Sequence, residues 1–188
     1  MTPADVGPDD GALAARALAG SEAAFATLMQ RHRSRVYRLI LNSVADPDEA
    51  LDLVQETFLS AYRALGRYDA ARPMSAWLAT IALNKCRDLA RRRALRRFFF
   101  GARTIYDLAD TLAAVDPDQV QAAEQRQETA RLRAALARLP ATLREPLLLC
   151  TVEGMRQSDA AALLGISTKA VETRIRRARA RLTDMLNG

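Results

Sequence analysis

The chemistry of this chain is densest near its C-terminus. In GISTKAVETRIRRARARL, residues 165–182, six basic side chains fall between Lys169 and Arg181 against a single acid, Glu172. Ser158 to Leu164 reads as a short helix, Gly165 as a turn residue whose missing Cβ permits a left-handed conformation, and Ser167 as the cap of a second helix. Val171, Ile175, Ala178 and Leu182 recur at helical spacing and form its inward stripe. At about 100° per residue, Lys169, Ala170, Thr173, Arg176 and Arg177 point away from Ile175, with Arg174 and Arg181 on the flank. Helix, glycine turn, helix is the layout of a helix-turn-helix. Guanidinium forks and a threonine hydroxyl on the outer face suit a major groove, where arginine pairs bidentately with guanine and neighbouring cations neutralise phosphate. A solvated amphipathic helix is the plainer reading, and the agreement of turn, core stripe and charge favours DNA.

A second cationic cluster lies mid-chain. Lys85 to Arg97 holds seven basic residues and one Asp, and RRRALRRFFFG, residues 91–101, sets five of those arginines directly before Phe98, Phe99 and Phe100. Between the basic blocks, Thr104 to Ala130 carries six acids and one arginine. Basic, acidic, basic, with a net charge of +6, fits a protein that meets a polyanion on two faces joined by a connector.

The elements that must position these clusters are helices. Ser21 caps a helix carrying Phe25, Leu28, Met29, His32, Val36, Leu39 and Ile40 and running to about Val44. In DPDEALDLVQETFLSAYRAL, Asp46 is a cap, Pro47 suits the first helical position, and Glu49 sits where it can return a capping hydrogen bond. The inward stripe there is Leu51, Val54, Phe58, Ala61, Tyr62 and Leu65, which leaves Asp52, Gln55, Glu56 and Ser60 on other faces. A third helix runs from about Ser75 through Trp77, Leu78, Ile81 and Leu89 toward Arg93. Periodicity decays after Arg96, where TIYDLADTLAAV is compatible with a short helix, and Gly101, Asp116 and Pro117 punctuate the segment. It returns from Val120 through Leu132, Leu136 and Leu139 until Pro140 stops it. Thr142 with Glu145 reads as a capping box for a helix that tolerates Pro146 in its first turn and ends at Glu153 and Gly154. The fold class is therefore all-α, two small helical domains joined by a linker. Residues 1–19 are an N-terminal extension, 20–95 a three-to-four-helix bundle, 96–125 the linker, and 126–188 the helix-turn-helix domain.

Other chemistries find no residues. Cys86 and Cys150 lie far apart without a CxxC, and His32, the only histidine, has no metal-ligand or catalytic partner in view, so all three read as packing residues. No P-loop, nucleophile motif or acidic metal-binding motif is present, so neither a metal, a cofactor, a small-molecule substrate nor a catalytic residue is expected. No apolar run approaches the ~20 residues of a membrane span, and the acidic start (Asp5, Asp9, Asp10) lacks a secretory pattern, which places the chain in the cytoplasm without membrane insertion.

Taken together, DPDEALDLVQETFLSAYRAL, RYDAARPMSAWLATIALNKCRDLARRR and LPATLREPLLLCTVEGMRQSDAAALLGISTKAVETRIRRARARL resemble, in that order, regions 2 and 4 of the extracytoplasmic-function (ECF) group of bacterial RNA polymerase sigma factors. The resemblance covers nearly all of residues 20–186. It implies an alternative sigma factor with core RNA polymerase, promoter DNA and an anti-sigma factor as partners. It implies polymerase contacts at Asp52, Gln55 and Glu56, with residues 20–95 as region 2 and 126–188 as region 4. Recognition and melting of the minus-10 element would fall to Tyr68, Arg72, Trp77, Asn84, Lys85, Arg87 and Arg91, where a base pocket and a basic strand path offset unstacking. Trp77 reads more readily as core than as a stacking platform, and Asn84 as the better base-edge contact. The minus-35 element would be read by Lys169, Glu172, Thr173, Arg174, Arg176 and Arg177. Three positions depart from the family pattern: Glu172 stands where relatives carry Lys or Arg, Arg156 replaces a capping Ser, and Lys169 replaces Gly. Glu172 then contacts a cytosine amino group, orients an arginine, or contributes nothing. Phe98 to Phe100 would open the linker as a segment that something must cover, whether this protein, an anti-sigma factor or polymerase. A helix-turn-helix regulator that acts without polymerase shares the C-terminal motif but has no use for the region 2 segment.

Overall fold

The computed structural model describes residues 9–100 and 117–187, and every regular element among them is helical. The first unit comprises α1 (Asp10–Leu18), α2 (Glu22–Val44), α3 (Pro47–Ala64) with a 3-10 turn at Leu65–Arg67, and α4 (Met74–Phe100). The second comprises α5 (Pro117–Arg138), α6 (Ala141–Thr151), α7 (Gln157–Leu164) and α8 (Thr168–Asn187). Helices α1 and α3 pack on α2, α4 closes the bundle against α2 and α3, and α8 packs across α6 and α7.

Local chemistry sets the helix starts. Ser21 accepts from the Ala24 amide at 3.3 Å, and Asp46 from the amides of Asp48 and Glu49 at 3.0 Å each, with Pro47 at the first helical position. Ala45 adopts a left-handed conformation (φ 61°), which turns α2 into α3 within two residues and leaves Asp46 free to cap. Leu39, Ile40, Ala50 and Ala82 at the centre of the first unit are completely buried.

Several sequence expectations are corrected. The N-terminal extension is part of the bundle: Leu13, Ala14 and Ala17 of α1 are buried, and Asp10 accepts from Arg31 Nη1 at 2.6 Å while its other oxygen lies 2.8 Å from His32 Nε2. His32 thus has a partner, supplied by a helix whose short, alanine-rich pattern was not read as one. Helix α4 does not stop near Arg93 but continues to Phe100; burial ends at Leu89, so the hydrophobic period fades while helix-favouring Arg, Ala and Leu carry the backbone on. Phe98 and Phe99 are therefore helical residues, 83% and 67% exposed, with rings edge-to-face at 5.5 Å. On α3 the inward face is Ala50, Leu53, Val54, Thr57, Phe58 and Ala61, whereas Leu51 and Tyr62 turn out to solvent beside Leu59; Leu132 of α5 is exposed as well. Neither Glu of the expected capping pairs returns to its cap. Glu49 pairs with Arg93; α6 starts behind Pro140, which has no side-chain acceptor and leaves Thr142 inside the first turn, and Glu145 reaches α4. The segment TIYDLADTLAAV, with Gly101 and Asp116, lies outside the described residues.

The two units are packed together. Helix α2 lies against α5 and α6, α4 lies against α6, and the buried apolar side chains form one connected cluster from Leu13 to Ala178. If α1 is a working part of that core, Leu13→Ala lowers unfolding stability by about 2–4 kcal/mol, whereas Leu18→Ala on its exposed side changes it by less than ~0.5 kcal/mol. Urea unfolding followed by circular dichroism checks both.

Candidate nucleic-acid interface

The C-terminal unit builds the reading helix as the sequence prescribes. Gly165 adopts φ 65°, its amide and that of Ile166 close the end of α7, and the Ser167 hydroxyl accepts from the Ala170 amide at 3.1 Å to start α8. Val171, Ile175 and Ala178 are buried against α6 and α7, and Leu182 packs at the edge. That anchoring turns Lys169, Glu172, Arg176 and Arg177 out to solvent, with Thr173 and Arg174 half-buried at the margins. Lys169 Nζ lies 2.9 Å from Glu172 Oε2, and this ammonium, helped by Arg176, holds the Glu172 carboxyl below the usual carboxylate range. Among the described residues no carboxylate lies within ion-pair distance of Arg174, Arg176 or Arg177. Their forks are available to an external anion.

The N-terminal unit places its candidates differently. Tyr68 stacks at a tilt on Trp77 with ring centres 5.2 Å apart and donates its hydroxyl to the Arg72 carbonyl at 2.8 Å. Burial, with Asp10 and Asp69 nearby, pushes the Tyr68 phenol up, so it stays a neutral donor. Trp77 is half-buried and packs on the core, as its spacing suggests. Arg72 is exposed and only loosely paired with Asp69, at 3.7 Å. On α4, Asn84, Arg87 and Arg91 recur at positions sharing one face, and Asn84 Oδ1 accepts from Arg87 Nη1 at 3.0 Å. Lys85 lies 3.4 Å from Glu56 of α3, Arg91 pairs with Asp88, and these four residues together with Arg92 line a shallow cleft. The structure thus joins Glu56, read as a polymerase contact, to Lys85, read as a DNA contact. Asp52 and Gln55 stay exposed on the outer side of α3, next to Leu51, Leu59 and Tyr62.

Arg87 is the residue whose setting the sequence did not foretell. Its Nε donates to Glu145 Oε1 at 2.6 Å, and its Nη2 engages the other oxygen of the same carboxylate. A second cross-unit pair joins Arg35 Nε of α2 to Glu153 Oε2 at 2.5 Å, with Arg35 Nη2 donating to the Glu153 carbonyl. Sequence reasoning missed Arg35 and Glu153, each locally unremarkable, and read Glu145 only as half of a capping box.

Cys86 sits under this junction. Burial pushes its thiol up to about 11, offset in part by Arg144 and a hydrogen bond with Ser43. The thiolate is the reactive form, so at pH 8 iodoacetamide should modify half-buried Cys150 well before Cys86, and the Cys86 rate should climb with pH toward 11. Peptide mass spectrometry resolves the two sites.

Comparisons with known proteins agree with this geometry. Residues 28–96 match the model for Sigma-70 region 2, and residues 129–182 that for Sigma-70, region 4. Over its whole length the chain is 41% identical to the RNA polymerase sigma factor CnrH of Cupriavidus metallidurans, covering 97% of it. It is 40% identical to the RNA polymerase sigma factor NccH of Alcaligenes xylosoxydans xylosoxydans over 94% of each chain. With the ECF RNA polymerase sigma factor SigM of Mycobacterium tuberculosis it shares 35% identity over 94% of this chain and 84% of that one. The solved structure of CnrH in complex with the cytosolic domain of CnrY superposes with a TM-score of 0.67 at 36% identity, over 93% of this chain and 95% of that one. RpoE of Bartonella quintana, solved with the anti-sigma factor NepR, gives 0.68 at 24% identity over 87% and 96%, a likeness of fold.

Proposed function

The chain belongs to the extracytoplasmic-function group of the sigma-70 family, and on that premise we propose how its surfaces divide the work. It is an RNA polymerase sigma factor: it binds core polymerase and directs initiation at chosen promoters. Sigma factors are initiation factors rather than catalysts, and we assign no catalytic residue here. RNA synthesis belongs to the polymerase, and the chain works beside it in the cytoplasm.

Helix α8 reads the minus-35 element. The observation that carries this assignment is the capped, core-anchored helix whose Arg176 and Arg177 face outward without a carboxylate partner among the described residues. Arginine forks of that kind match the O6 and N7 of guanine, with Thr173, Arg174 and Lys169 flanking, and Glu172 is positioned to steer Lys169 and Arg176. The minus-10 element is taken by the face of α4 bearing Asn84, Lys85, Arg87 and Arg91 and by the turn holding Tyr68, Arg72 and Trp77. There a cationic path meets an aromatic pair, as single-strand capture requires. The outer side of α3 docks on core polymerase. Asp52, Gln55 and Glu56 supply polar contacts, and Leu51, Leu59 and Tyr62, each 41–50% exposed, supply the apolar ones. That exposed stripe also speaks against a regulator working without polymerase, which has no partner for it. The complex of CnrH with the cytosolic domain of CnrY supports an anti-sigma factor as a further partner.

The test is reconstitution: core polymerase plus this chain should yield promoter-specific transcripts, and a chain that binds a cognate site equally well without polymerase and yields none would overturn the reading. Each base-reading arginine is worth about 1–3 kcal/mol, so Arg176→Ala/Arg177→Ala should weaken promoter binding at least ~10-fold with core binding intact. Leu59→Glu/Tyr62→Glu should do the reverse, abolishing core binding while unfolding stability falls only by about the 0.5–1.5 kcal/mol of the Tyr62–Phe25 ring contact, because both side chains are half exposed.

A further inference from the structure

The two units are fastened through groups that the promoter-reading face itself requires. Arg87 commits two arms to Glu145 and a third nitrogen to Asn84, so the guanidinium cannot fork a phosphate while α6 is in place. The burial is one-sided. The side chains of Glu145 and Glu153 are 6% and 2% exposed, whereas those of Arg87 and Arg35 are 40% and 39% exposed. Lifting the second unit would return both carboxylates to water and leave both arginines presented on the first. Size argues in the same direction. A compact chain of this length has a radius of gyration of about 16 Å and hence a diameter of roughly 40 Å. The minus-10 and minus-35 elements are about 25 base pairs apart, roughly 85 Å of duplex at ~3.4 Å per pair. The closed molecule cannot lay α4 on one and α8 on the other.

We propose that Glu145 and Glu153 form an internal latch that holds the free chain closed by occupying Arg87 and Arg35, and that this latch must release before α4 can take promoter DNA. The proposal rests on the assignment of α4 and α8 to separate promoter elements. The closed arrangement is not locked: Glu153 Oε1 accepts no hydrogen bond among the described residues, and burial raises the Glu153 carboxyl despite Arg35, Arg38 and His32 around it. A polyanion competing for Arg35, or a partner prising the units apart, has an incompletely satisfied pair to displace at Glu153.

Cys86, 3% exposed beside Arg144, Glu145 and Arg87, reports the state of the junction without any partner protein. In the full-length chain, Glu145→Arg/Glu153→Arg sets like charges against each other across the interface while placing nothing foreign in the opened unit. The expected result is alkylation of Cys86 at least ~10-fold faster than in wild type, since an opposed charge in place of a buried ion pair is strongly unfavourable. Small-angle scattering should give a radius of gyration near the compact value of about 16 Å for wild type and a clear increase for the variant. Adding Arg35→Glu/Arg87→Glu restores both pairs with reversed polarity and should return both readouts toward wild type, an outcome that general misfolding of the double variant does not produce. Equal Cys86 rates and equal radii in wild type and double variant would overturn the latch, as would a quadruple variant as open as the double. Neither readout involves polymerase, so the latch is judged separately from the parent assignment, which stands or falls on promoter-specific transcription by the wild-type chain.

Discussion

A guanidinium forked on one carboxylate has no arm left for a phosphate, and much of this molecule is arranged around that exclusivity. The chain carries two cationic faces and meets them in different ways. On α8 the forks of Arg176 and Arg177 stand clear, held out by a helix whose inner stripe is completely buried at Val171 and Ala178. On α4 four of the seven cations are engaged within the chain: Arg87 by Glu145, Lys85 by Glu56, Arg91 by Asp88 and Arg93 by Glu49. The outward face of α8 is therefore preformed, while on α4 these four cations are held by internal anions. A net charge of +6 conceals this, because the acids that quench α4 come from α3, α6 and α4 itself.

The adhesion between the units and its control come from different interactions. Adhesion comes from apolar contact, since α2 and α4 share one buried cluster with α5 and α6. Ion pairs at such a junction add little net stability, because removing a carboxylate from water costs about as much as its pairing returns. Their contribution is sign: closure holds only while each carboxylate faces its arginine, and charge brought by another molecule can reverse it. Hydrophobic burial alone would close the chain without making closure responsive to a polyanion.

How much of this could be read in advance follows from the range of each interaction. Features fixed within a few residues were legible: the caps Ser21, Asp46 and Ser167, the left-handed Gly165, the stripe of α8 and the charge blocks. Glu49 misled because a glutamate three residues into a helix looks the same whether it bonds its own cap or a distant arginine, and Glu145 because α6 starts at Ala141 and not behind Thr142. Here each had an arginine to reach, and a charged pair is the stronger bond. Helix α1 was passed over because nine residues rich in alanine carry little periodic signal; only its packing on α2 and the Asp10 contact with His32 make it an element. Leu51 and Tyr62 were placed inward because α3 is apolar over more than one face, and a single sequence cannot say which face its own bundle takes.

That second face of α3 bears on the order of events. Tyr62 is held edge-to-face on Phe25 with ring centres 4.9 Å apart, so its exposed ring is already in position beside Leu59 and needs little ordering when a partner arrives. Among the described residues the stripe is also clear of the junction: α5 and α6 pack on α2 and α4. Closure engages Arg87 without hiding Leu51, Gln55, Leu59 or Tyr62, so the surface proposed for polymerase is available in the closed chain while the Arg87 fork is not. Docking through α3 can therefore precede opening. On the proposed division of surfaces, an encounter with core polymerase would bring the closed chain to promoter DNA, whose phosphates would then compete with Glu145 for Arg87 at high local concentration.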